Sequence, residues 1–279
     1  MKKRVVVTGL GMVSPLGVDV EHSWQAALAG QSGIGRIAEF EAAGLRAQIA
    51  GRVMGFDVSA YLSPKEARRF DTFIQYGMAA AIQAVEQAGV ASGGDPDRGG
   101  ICMGSGIGGL PLIEESYHTL TTQGARRVSP FFVPGSIINM MAGMLAIRYG
   151  FEGPNLATAT ACSTSTHAIG LAARLISYGD ADVVIAGGSE KASTMLGVAG
   201  FAAMQAVSTR NDDPTRASRP FDLDRDGFVL GDGAGAMVLE SLDHALARGA
   251  TIIAELTGFG MSDDAFHITA PEEQRTGAL

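Results

Sequence analysis

The sequence predicts an α/β fold with helices covering a largely buried sheet. Short runs of β-branched or apolar residues alternate with longer helical segments along the 279-residue chain, as in proteins built from strand–helix units. Alanine and glycine are plentiful, whereas aromatic residues make up only 6% of the chain, and small side chains allow helices to pack closely on a sheet. The length suffices for one large domain or two smaller ones.

Individual helices and strands are predicted from their residue types and from the residues that begin or end them. Residues 4–8 are a β-branched run that stops at Gly9, which predicts a buried strand. Ser63 is a predicted N-cap, with a proline at the first helical position and Glu66 three residues after the cap. The remaining predicted elements are helices over residues 18–28, 71–88 (ending at Gly89) and about 163–178, and strands over residues 100–103, 158–161 and 183–186.

One short sequence occurs twice, each time after an apolar run. Thr-Gly-Leu-Gly-Met at residues 8–12 follows the first strand, and Thr-Gly-Phe-Gly-Met at residues 257–261 follows the run 252–256. Chance could produce such a match in a chain with 38 glycines. The position of the second copy instead suggests the start of a duplicated half. We therefore predict an N-terminal half over residues 1–250 and the incomplete beginning of a second half over residues 251–279.

Charge and cysteine content restrict the function classes. The 21 basic and 29 acidic residues give a net charge of -8, which argues against broad nucleic-acid binding. The two cysteines, Cys102 and Cys162, cannot form a disulfide framework and fit a reducing cytoplasm. No uninterrupted apolar run approaches the ~18 residues needed to span a bilayer. We interpret the start MKKRVVVTGLG as a strand and turn rather than an export signal.

The glycine-rich and acidic loops do not match the motifs of common cofactor sites. GLGMVS at Gly9 lacks the third glycine of a dinucleotide fingerprint, and GSGIGG at Gly104 has its glycines at other offsets. Tight turns and close backbone approach explain these glycines better. DLDRDGFVLGDG, which starts at Asp222, opens like a calcium loop but has Gly233 where a bidentate glutamate is required. With no zinc-ligand spacing either, we expect no metal site.

Cys162 is the candidate nucleophile. It lies between a predicted strand and a predicted helix, where the helix N-terminus favours the reactive thiolate and backbone N–H groups can face a developing oxyanion. The alternative is a small buried structural thiol, and the local pattern alone leaves both open. His167, five residues later, falls on another helix face and is a poor partner for Cys162. Cys102, in an apolar strand, is expected to be structural.

A small basic patch lies at the predicted helix start. Lys65, Arg68 and Arg69 fall near one face of that helix. Such a patch can simply be a solvated helix face. On a chain with excess acidic residues it can also dock an acidic partner.

Four long segments carry a family resemblance. They are ATACSTSTHAIG around Cys162, GSGIGGL from Gly104, SPFFVPGSIINMMAG from Ser129 and STRNDDPTRASRPFDLDRDGFVLGDGAG from Ser208. Together they resemble the β-ketoacyl-acyl-carrier-protein synthases, most closely the synthase II type of fatty-acid synthesis. The resemblance runs along the whole chain. It implies a thiolase-like αβαβα fold in five layers, with this chain supplying the N-terminal half and the start of the second, and it implies a homodimer.

The resemblance also implies an activity and a set of site residues. Acyl carrier protein delivers an acyl chain to Cys162, whose backbone N–H is one oxyanion donor, and malonyl-carrier protein is then decarboxylated and condensed with the thioester. No resident cofactor is implied, because 4′-phosphopantetheine arrives on the carrier protein. The resemblance assigns Ile107, Phe132, Phe201 and Phe228 to the acyl pocket, with Phe132 acting across the dimer. It assigns Lys65, Arg68 and Arg69 to carrier-protein docking.

Some family motifs are not found in this sequence. The family's two catalytic histidines and lysine belong to a second half with motifs like HGTSTP and KSMTGH, neither of which occurs here. His267, in DAFHITAP, matches a different loop near the cleft, and Gln205 replaces an arginine common in relatives. We therefore expect a truncated chain that does not complete condensation alone. The alternatives are a chain-length-factor-like partner subunit, which would generally lack Cys162, a thiolase-like acyl-CoA enzyme and a cysteine hydrolase.

Overall fold

A computed structural model describes residues 2–90, 94–267, 270 and 272. Within them, the strands are β1 (Val5–Val13), β2 (Gly35–Arg36), β3 (Ile49–Ala50), β4 (Gly99–Gly104), β5 (Asn155–Leu156), β6 (Val183–Glu190), β7 (Gly233–Ser241) and β8 (Ala254–Glu255). The α-helices are α1 (Val20–Leu28), α2 (Ala38–Ala42), α3 (Pro64–Ala67), α4 (Thr72–Ala88), α5 (Leu110–Gln123), α6 (Phe132–Ser136), α7 (Met140–Tyr149), α8 (Thr164–Tyr178), α9 (Met195–Ala203) and α10 (Leu242–Ala247).

The main sheet is mixed. In the described part of the chain its order is β5-β4-β6-β7-β1-β8, while β2 and β3 form a separate two-stranded ribbon. Strand β4 runs parallel to β5 and β6, whereas β7 is antiparallel to both β6 and β1, and β8 is antiparallel to β1. The carboxyl ends of β4 and β6 therefore meet at one edge of the sheet. Loops at this edge build the candidate site.

Helices cover both faces of the sheet. Helices α4 and α7 pack on one face, where Ile74, Met78 and Leu145 are fully buried. Helix α8 packs on the other face through Ala168, Ala172 and Ile176, among others. These layers confirm the predicted covering of a buried sheet by helices. The aromatic ring of Phe259, after β8, lies against Gly170 of α8, where any side chain would overlap the ring.

The helix ends agree closely with the sequence-based predictions. At α3 the Ser63 hydroxyl and the Glu66 carboxylate form the predicted capping box. Helix α4 begins after Asp71, whose side chain accepts from the backbone N–H of Phe73, and it ends at Gly89 in the left-handed conformation with φ 63°. These signals are local in sequence, which is why they could be recognised without a structure.

The prediction that the first strand stops at Gly9 is wrong. Strand β1 continues to Val13 and pairs with β7 along its length. The backbone of β1 lies directly against α4, so that a methyl group at Gly9 would overlap the Ala84 carbonyl oxygen and one at Gly11 the Ala80 carbonyl oxygen. The glycines therefore serve the close backbone approach considered in the sequence analysis, and do not form a turn.

The strand predicted over residues 158–161 is also wrong. The strand at this place is β5, which ends at Leu156, and residues 161–163 form a short 3₁₀ turn. The intervening segment forms hydrogen bonds with Thr164 in the first turn of α8. The Thr160 N–H donates to the Thr164 hydroxyl over 2.8 Å, and the Thr158 hydroxyl donates to the Thr164 carbonyl over 3.1 Å.

A buried carboxylate stabilises the opposite end of the sheet. Glu240 on β7 is fully buried and accepts hydrogen bonds from Arg248 at 2.5 and 2.8 Å and from the Thr8 hydroxyl at 2.5 Å. The ring of His244 lies 2.6 Å from the same carboxylate. Arg248 also donates to the Ala88 carbonyl at the end of α4. Burial opposes ionisation of Glu240, but these hydrogen bonds outweigh it and hold its pKa below the usual range.

We expect Arg248→Met to lower the free energy of unfolding at neutral pH by about 3 kcal/mol or more, because it leaves a buried carboxylate without its main partner. The loss should shrink in acid. Because the pKa of Glu240 is lowered in the folded state, its ionisation stabilises the fold at pH values above about 4.3, the ordinary glutamate pKa. This stabilisation is lost as the pH falls through the pKa of Glu240 in the folded protein. Urea unfolding at two pH values measures both effects.

The matched control is Arg4→Met, which removes an arginine from the solvent-exposed pair with Glu255. It should shift the urea midpoint far less, since exposed ion pairs contribute little. Equal losses in the two variants would contradict the assignment of a stabilising role to the buried pair.

Among the described residues, no helix combines the length and the apolar character that crossing a membrane requires.

Candidate active site

Cys162 lies in the 3₁₀ turn Ala161–Ser163, directly before α8. Its side chain is exposed, whereas Cys102 is completely buried, and burial raises the pKa of the Cys102 thiol to about 11. The alternative of a buried structural thiol therefore does not apply to Cys162. It does describe Cys102, as expected.

The turn that carries Cys162 is conformationally constrained. Ala161 has a φ of 48°, a left-handed conformation that is uncommon outside glycine and is often found at functional sites. The Ser163 N–H donates to the Thr160 carbonyl over 3.1 Å, and Nδ1 of His167 lies 2.8 Å from the Thr160 hydroxyl. His167 thus supports the turn through Thr160, in agreement with its predicted unsuitability as a base for Cys162.

The start of α8 provides an electropositive environment. Ser163, the residue at the N-cap of α8, makes no side-chain cap hydrogen bond. The first backbone N–H groups of a helix have no partner within the helix, and the helix dipole places partial positive charge at this end. A negative charge that develops next to Cys162, such as the oxyanion of a thioester intermediate, is favoured there.

A largely apolar cleft of about 650 Å³ opens at Cys162. Three of the four predicted acyl-pocket residues, Ile107, Phe201 and Phe228, line this cleft together with the cysteine. The rings of Phe201 and Phe228 pack edge to face with centroids 5.4 Å apart. Ile107 and Phe228 keep 42% and 45% of their surface exposed, so they can contact a bound chain.

Phe132 does not line this cleft within one chain. It begins α6 and is half-buried, next to Phe131, whose ring lies 4.2 Å from the Arg69 guanidinium. The prediction for Phe132 placed it in the cleft of a second protomer. It therefore stays a prediction.

The glycines around the cleft allow three backbone segments to approach one another. A methyl group at Gly104 would overlap Thr158, and one at Gly188 would come 2.5 Å from the Ser165 hydroxyl. The ends of β4 and β6 can therefore lie directly beneath the Cys162 turn. Gly104, the first glycine of the GSGIGG loop, therefore serves a close backbone approach.

Two acidic residues of the cleft were missed by sequence reasoning. Glu190 ends β6, where burial raises the pKa of its carboxyl group despite hydrogen bonds that favour the charged form. Asp232 is almost fully buried and lies 2.7 Å from the Lys191 ammonium and 2.5 Å from the Ser193 hydroxyl. The only sequence signal was an acidic residue at the end of an apolar strand, GGSE, and the partners of both residues are far away in sequence.

The predicted docking residues lie at α3 and just after it. Lys65 and Arg68 are exposed and Arg69 is half-buried, stacked on the ring of Phe131. The structure therefore joins this basic patch to the segment that contains Phe132. His267 is exposed, and its Nδ1 accepts from the backbone N–H of Ala270. In the part of the chain that the structure describes, no group of three or more metal-ligating side chains is assembled.

The fold and the site define a class of α/β protein in which an exposed cysteine at a helix start faces an apolar cleft. The chain belongs to the β-ketoacyl synthase family, since the profile described as "Beta-ketoacyl synthase, N-terminal domain" matches residues 2–245. This finding confirms the family, the fold class and the enzyme class that were predicted from the sequence.

Curated relatives agree with this placement. The 3-oxoacyl-[acyl-carrier-protein] synthase 2 of Vibrio cholerae serotype O1 is 59% identical over 277 residues, which are 99% of this chain and 67% of that protein. The protein of the same name from Coxiella burnetii is 53% identical over the same shares. The chain thus spans about two thirds of the length of these relatives.

Solved structures show the same fold. A β-ketoacyl synthase from Burkholderia phymatum STM815 aligns with a TM-score of 0.87 at 34% identity, over 96% of this chain and 66% of that one. A type II polyketide ketosynthase in complex with its acyl-carrier protein aligns with a TM-score of 0.85 at 31% identity, over 96% of this chain and 65% of that one.

Proposed function

We propose that this chain performs the acyl-transfer step of a β-ketoacyl-acyl-carrier-protein synthase of fatty-acid elongation. The observation that carries the proposal is the exposed Cys162 at the start of α8, facing an apolar cleft that contains Ile107, Phe201 and Phe228. The names of the curated relatives support the same function. Acyl carrier protein is the proposed donor, and a related ketosynthase was solved with such a protein bound.

The proposed step conserves atoms and charge. The Cys162 thiolate attacks the carbonyl carbon of the acyl thioester, and the oxyanion that forms is stabilised by the Cys162 backbone N–H at the positive end of α8. The carbon–sulfur bond to the carrier's 4′-phosphopantetheine then breaks, and that thiolate leaves and takes up a proton. The acyl chain stays on Cys162 and extends along the cleft. The phosphopantetheine thus belongs to the substrate.

Condensation would require further groups. Decarboxylation of malonyl-carrier protein needs donors that stabilise an enolate, and the histidine motifs that supply them in this family do not occur in the sequence. The step proposed for this chain is acyl transfer, whose residues the structure describes. The alternative of a chain-length-factor-like partner is less well supported, because the relatives are named as synthases and Cys162 is present.

We also propose a cytoplasmic homodimer. Apolar side chains are exposed on α6, α7 and the edge strand β5, including Val133 at 59%, Ile147 at 76% and Leu156 at 43% exposure. A second copy packed on this face would cover them, and Phe132, which precedes Val133 on α6, would lie near the interface. The two free thiols fit the reducing cytoplasm.

Acyl transfer is tested by mixing the chain with a long-chain acyl thioester of acyl carrier protein. We expect an increase in intact mass equal to one acyl group, with the modified peptide containing Cys162. The relevant readout is the acyl mass without the carrier mass, because transfer releases the carrier. A chain that stays unmodified while remaining folded would contradict the proposed function.

The basic patch should govern the rate of this reaction. We expect the double variant Lys65→Glu, Arg68→Glu to transfer an acyl group from the carrier protein about tenfold more slowly or worse, because reversed charges repel an acidic partner. The defect should grow at low salt, where screening is weak. Rates are measured by intact mass against time at several salt concentrations.

The matched control is Arg46→Glu, which reverses the charge of another exposed arginine. Alkylation of Cys162 by iodoacetamide, which needs no docking, should be equal in the variants and the wild type. A transfer defect of equal size in Arg46→Glu would mean that net charge, rather than this patch, controls docking.

A further inference from the structure

The Glu190 carboxylate holds one loop of the cleft through several hydrogen bonds. It accepts from the Ser105 hydroxyl at 2.9 Å, from the Gly106 N–H at 2.7 Å and from the Ile107 N–H at 3.1 Å. The Ser105 hydroxyl in turn accepts from the Gly108 N–H at 3.0 Å. One half-buried carboxylate thus fixes the conformation of residues 105–108, the part of the GSGIGG loop that contains Ile107.

This loop lies close to both Glu190 and the nucleophile turn. A methyl group built on Gly106 would lie 2.8 Å from a Glu190 carboxylate oxygen and 3.3 Å from the carbonyl oxygen of Ala161. Gly106, the Glu190 carboxylate and the residue that precedes Cys162 therefore meet at one place. Glu190, Ile107 and Cys162 all line the same cleft. A shift of the loop would change both the position of Ile107 and the packing beneath Cys162.

The energetics do not fit a carboxylate retained for stability alone. Its partners in the described part of the chain are the uncharged donors of this loop, and burial raises the pKa of the Glu190 carboxyl group. Because its pKa is raised in the folded state, ionisation of Glu190 at higher pH lowers the stability of the fold. The Lys191 ammonium beside it in sequence is paired with Asp232. The titratable groups that share its cleft are Cys162 and Asp232.

We propose that Glu190 is a positioning residue, whose carboxylate fixes residues 105–108 so that Ile107 faces an acyl chain at Cys162. The inference rests on the proposed function in that it takes the cleft to bind an acyl chain. The carboxylate does not touch the reacting sulfur; it acts through the backbone N–H groups of Gly106 and Ile107. Its loss should therefore change the discrimination between long and short chains more than the reactivity of the thiol.

The test compares two reagents with the same electrophile, iodoacetamide and N-dodecyl iodoacetamide. Both react with the Cys162 thiolate, so the ratio of their rates cancels any change in the thiolate fraction. We expect Glu190→Gln to lower the long-to-short ratio about tenfold, the factor for losing a hydrogen bond to a charged group. The control Glu152→Gln removes an exposed carboxylate near the opposite end of β4 and should leave the ratio unchanged.

A pH profile separates positioning from a merely structural role. In the wild type the long-to-short rate ratio should fall as the pH is lowered and Glu190 becomes protonated. Because the pKa of Glu190 is raised, this fall should occur at a pH above about 4.3, the ordinary pKa of glutamate. In Glu190→Gln the ratio should not change over this range. Two results would overturn the proposal. One is a wild-type long-to-short ratio that stays constant down to about pH 4.3, and the other is an equal ratio in the wild type and in Glu190→Gln.

Two features keep the test decisive. If Glu190→Gln does not fold, Ser105→Ala removes one donor and should lower the ratio in the same direction, while the wild-type pH profile needs no variant. Neither reagent requires a carrier protein. Failure of acyl transfer from acyl carrier protein would therefore contradict the proposed function and leave the rate ratio unaffected. An unchanged rate ratio in Glu190→Gln would contradict the role of Glu190 and leave the proposed acyl transfer unaffected.

Discussion

Replacement of Cys162 by alanine is expected to abolish acyl transfer from acyl carrier protein. The thiolate is the group that forms the new thioester, and Cys162 is the exposed cysteine of the two in the chain. A methyl group in place of the thiol side chain would leave the turn and the cleft almost unchanged, so the variant should fold like the wild type. Intact-mass spectrometry after incubation with the acyl-carrier thioester should show no acyl adduct above background.

The matched control is Cys102→Ala. Cys102 is fully buried on the α8 side of the sheet, and its pKa of about 11 leaves little thiolate near neutral pH. This variant should be labelled as fast as the wild type if it remains folded. Labelling of Cys162→Ala at the wild-type rate would refute the assignment of the nucleophile.

The largest expected loss of stability is at the contact between β1 and α4. Gly11→Ala places a methyl group on the Ala80 carbonyl oxygen, within 2.9 Å of the Ala84 backbone nitrogen as well. These neighbours are backbone atoms of a buried helix and cannot rotate away, so the strand or the helix must move. We expect the free energy of unfolding to fall by at least about 3 kcal/mol, at the upper end of overpacking effects. Urea unfolding followed by circular dichroism measures the loss.

Gly235→Ala is the control for this substitution. Gly235 lies on β7, opposite Met12 of β1, and no atom lies within 4 Å of a methyl group built there. The same chemical change in the same sheet should therefore have almost no effect on stability. If the two variants lost equal stability, close packing would not be the reason for glycine at position 11.

The sequence-based predictions succeed where the signal is local. Asp71, Gly89 and the Ser63 capping box each act within a few residues of the helix end they define, so α3 and α4 could be placed from the sequence. Cys162 could be placed at the start of α8 for the same reason. The family resemblance then brought Ile107, Phe201 and Phe228 together with Cys162, which no local pattern could do.

The errors come from contacts between distant residues. Gly9 suggested the end of a strand because its partner, Ala84 on α4, is 75 positions away in the sequence. Strand β7 was not predicted as an element, because its alternating small residues are similar to those of a loop. Glu190 and Asp232 gave little signal for the same reason. Their hydrogen-bond partners, Ser105 and Lys191, become neighbours only when β4, β6 and β7 pair.

The contact of Phe259 with α8 offers a way to observe the site in solution. The ring lies over Gly170 and edge-on to His167, 6.2 Å between centroids. Its ring current should displace the Gly170 α-proton and His167 ring-proton resonances from their usual NMR positions. Because His167 also contacts the turn before Cys162 through Thr160, those resonances would report acylation of the cysteine without any added label.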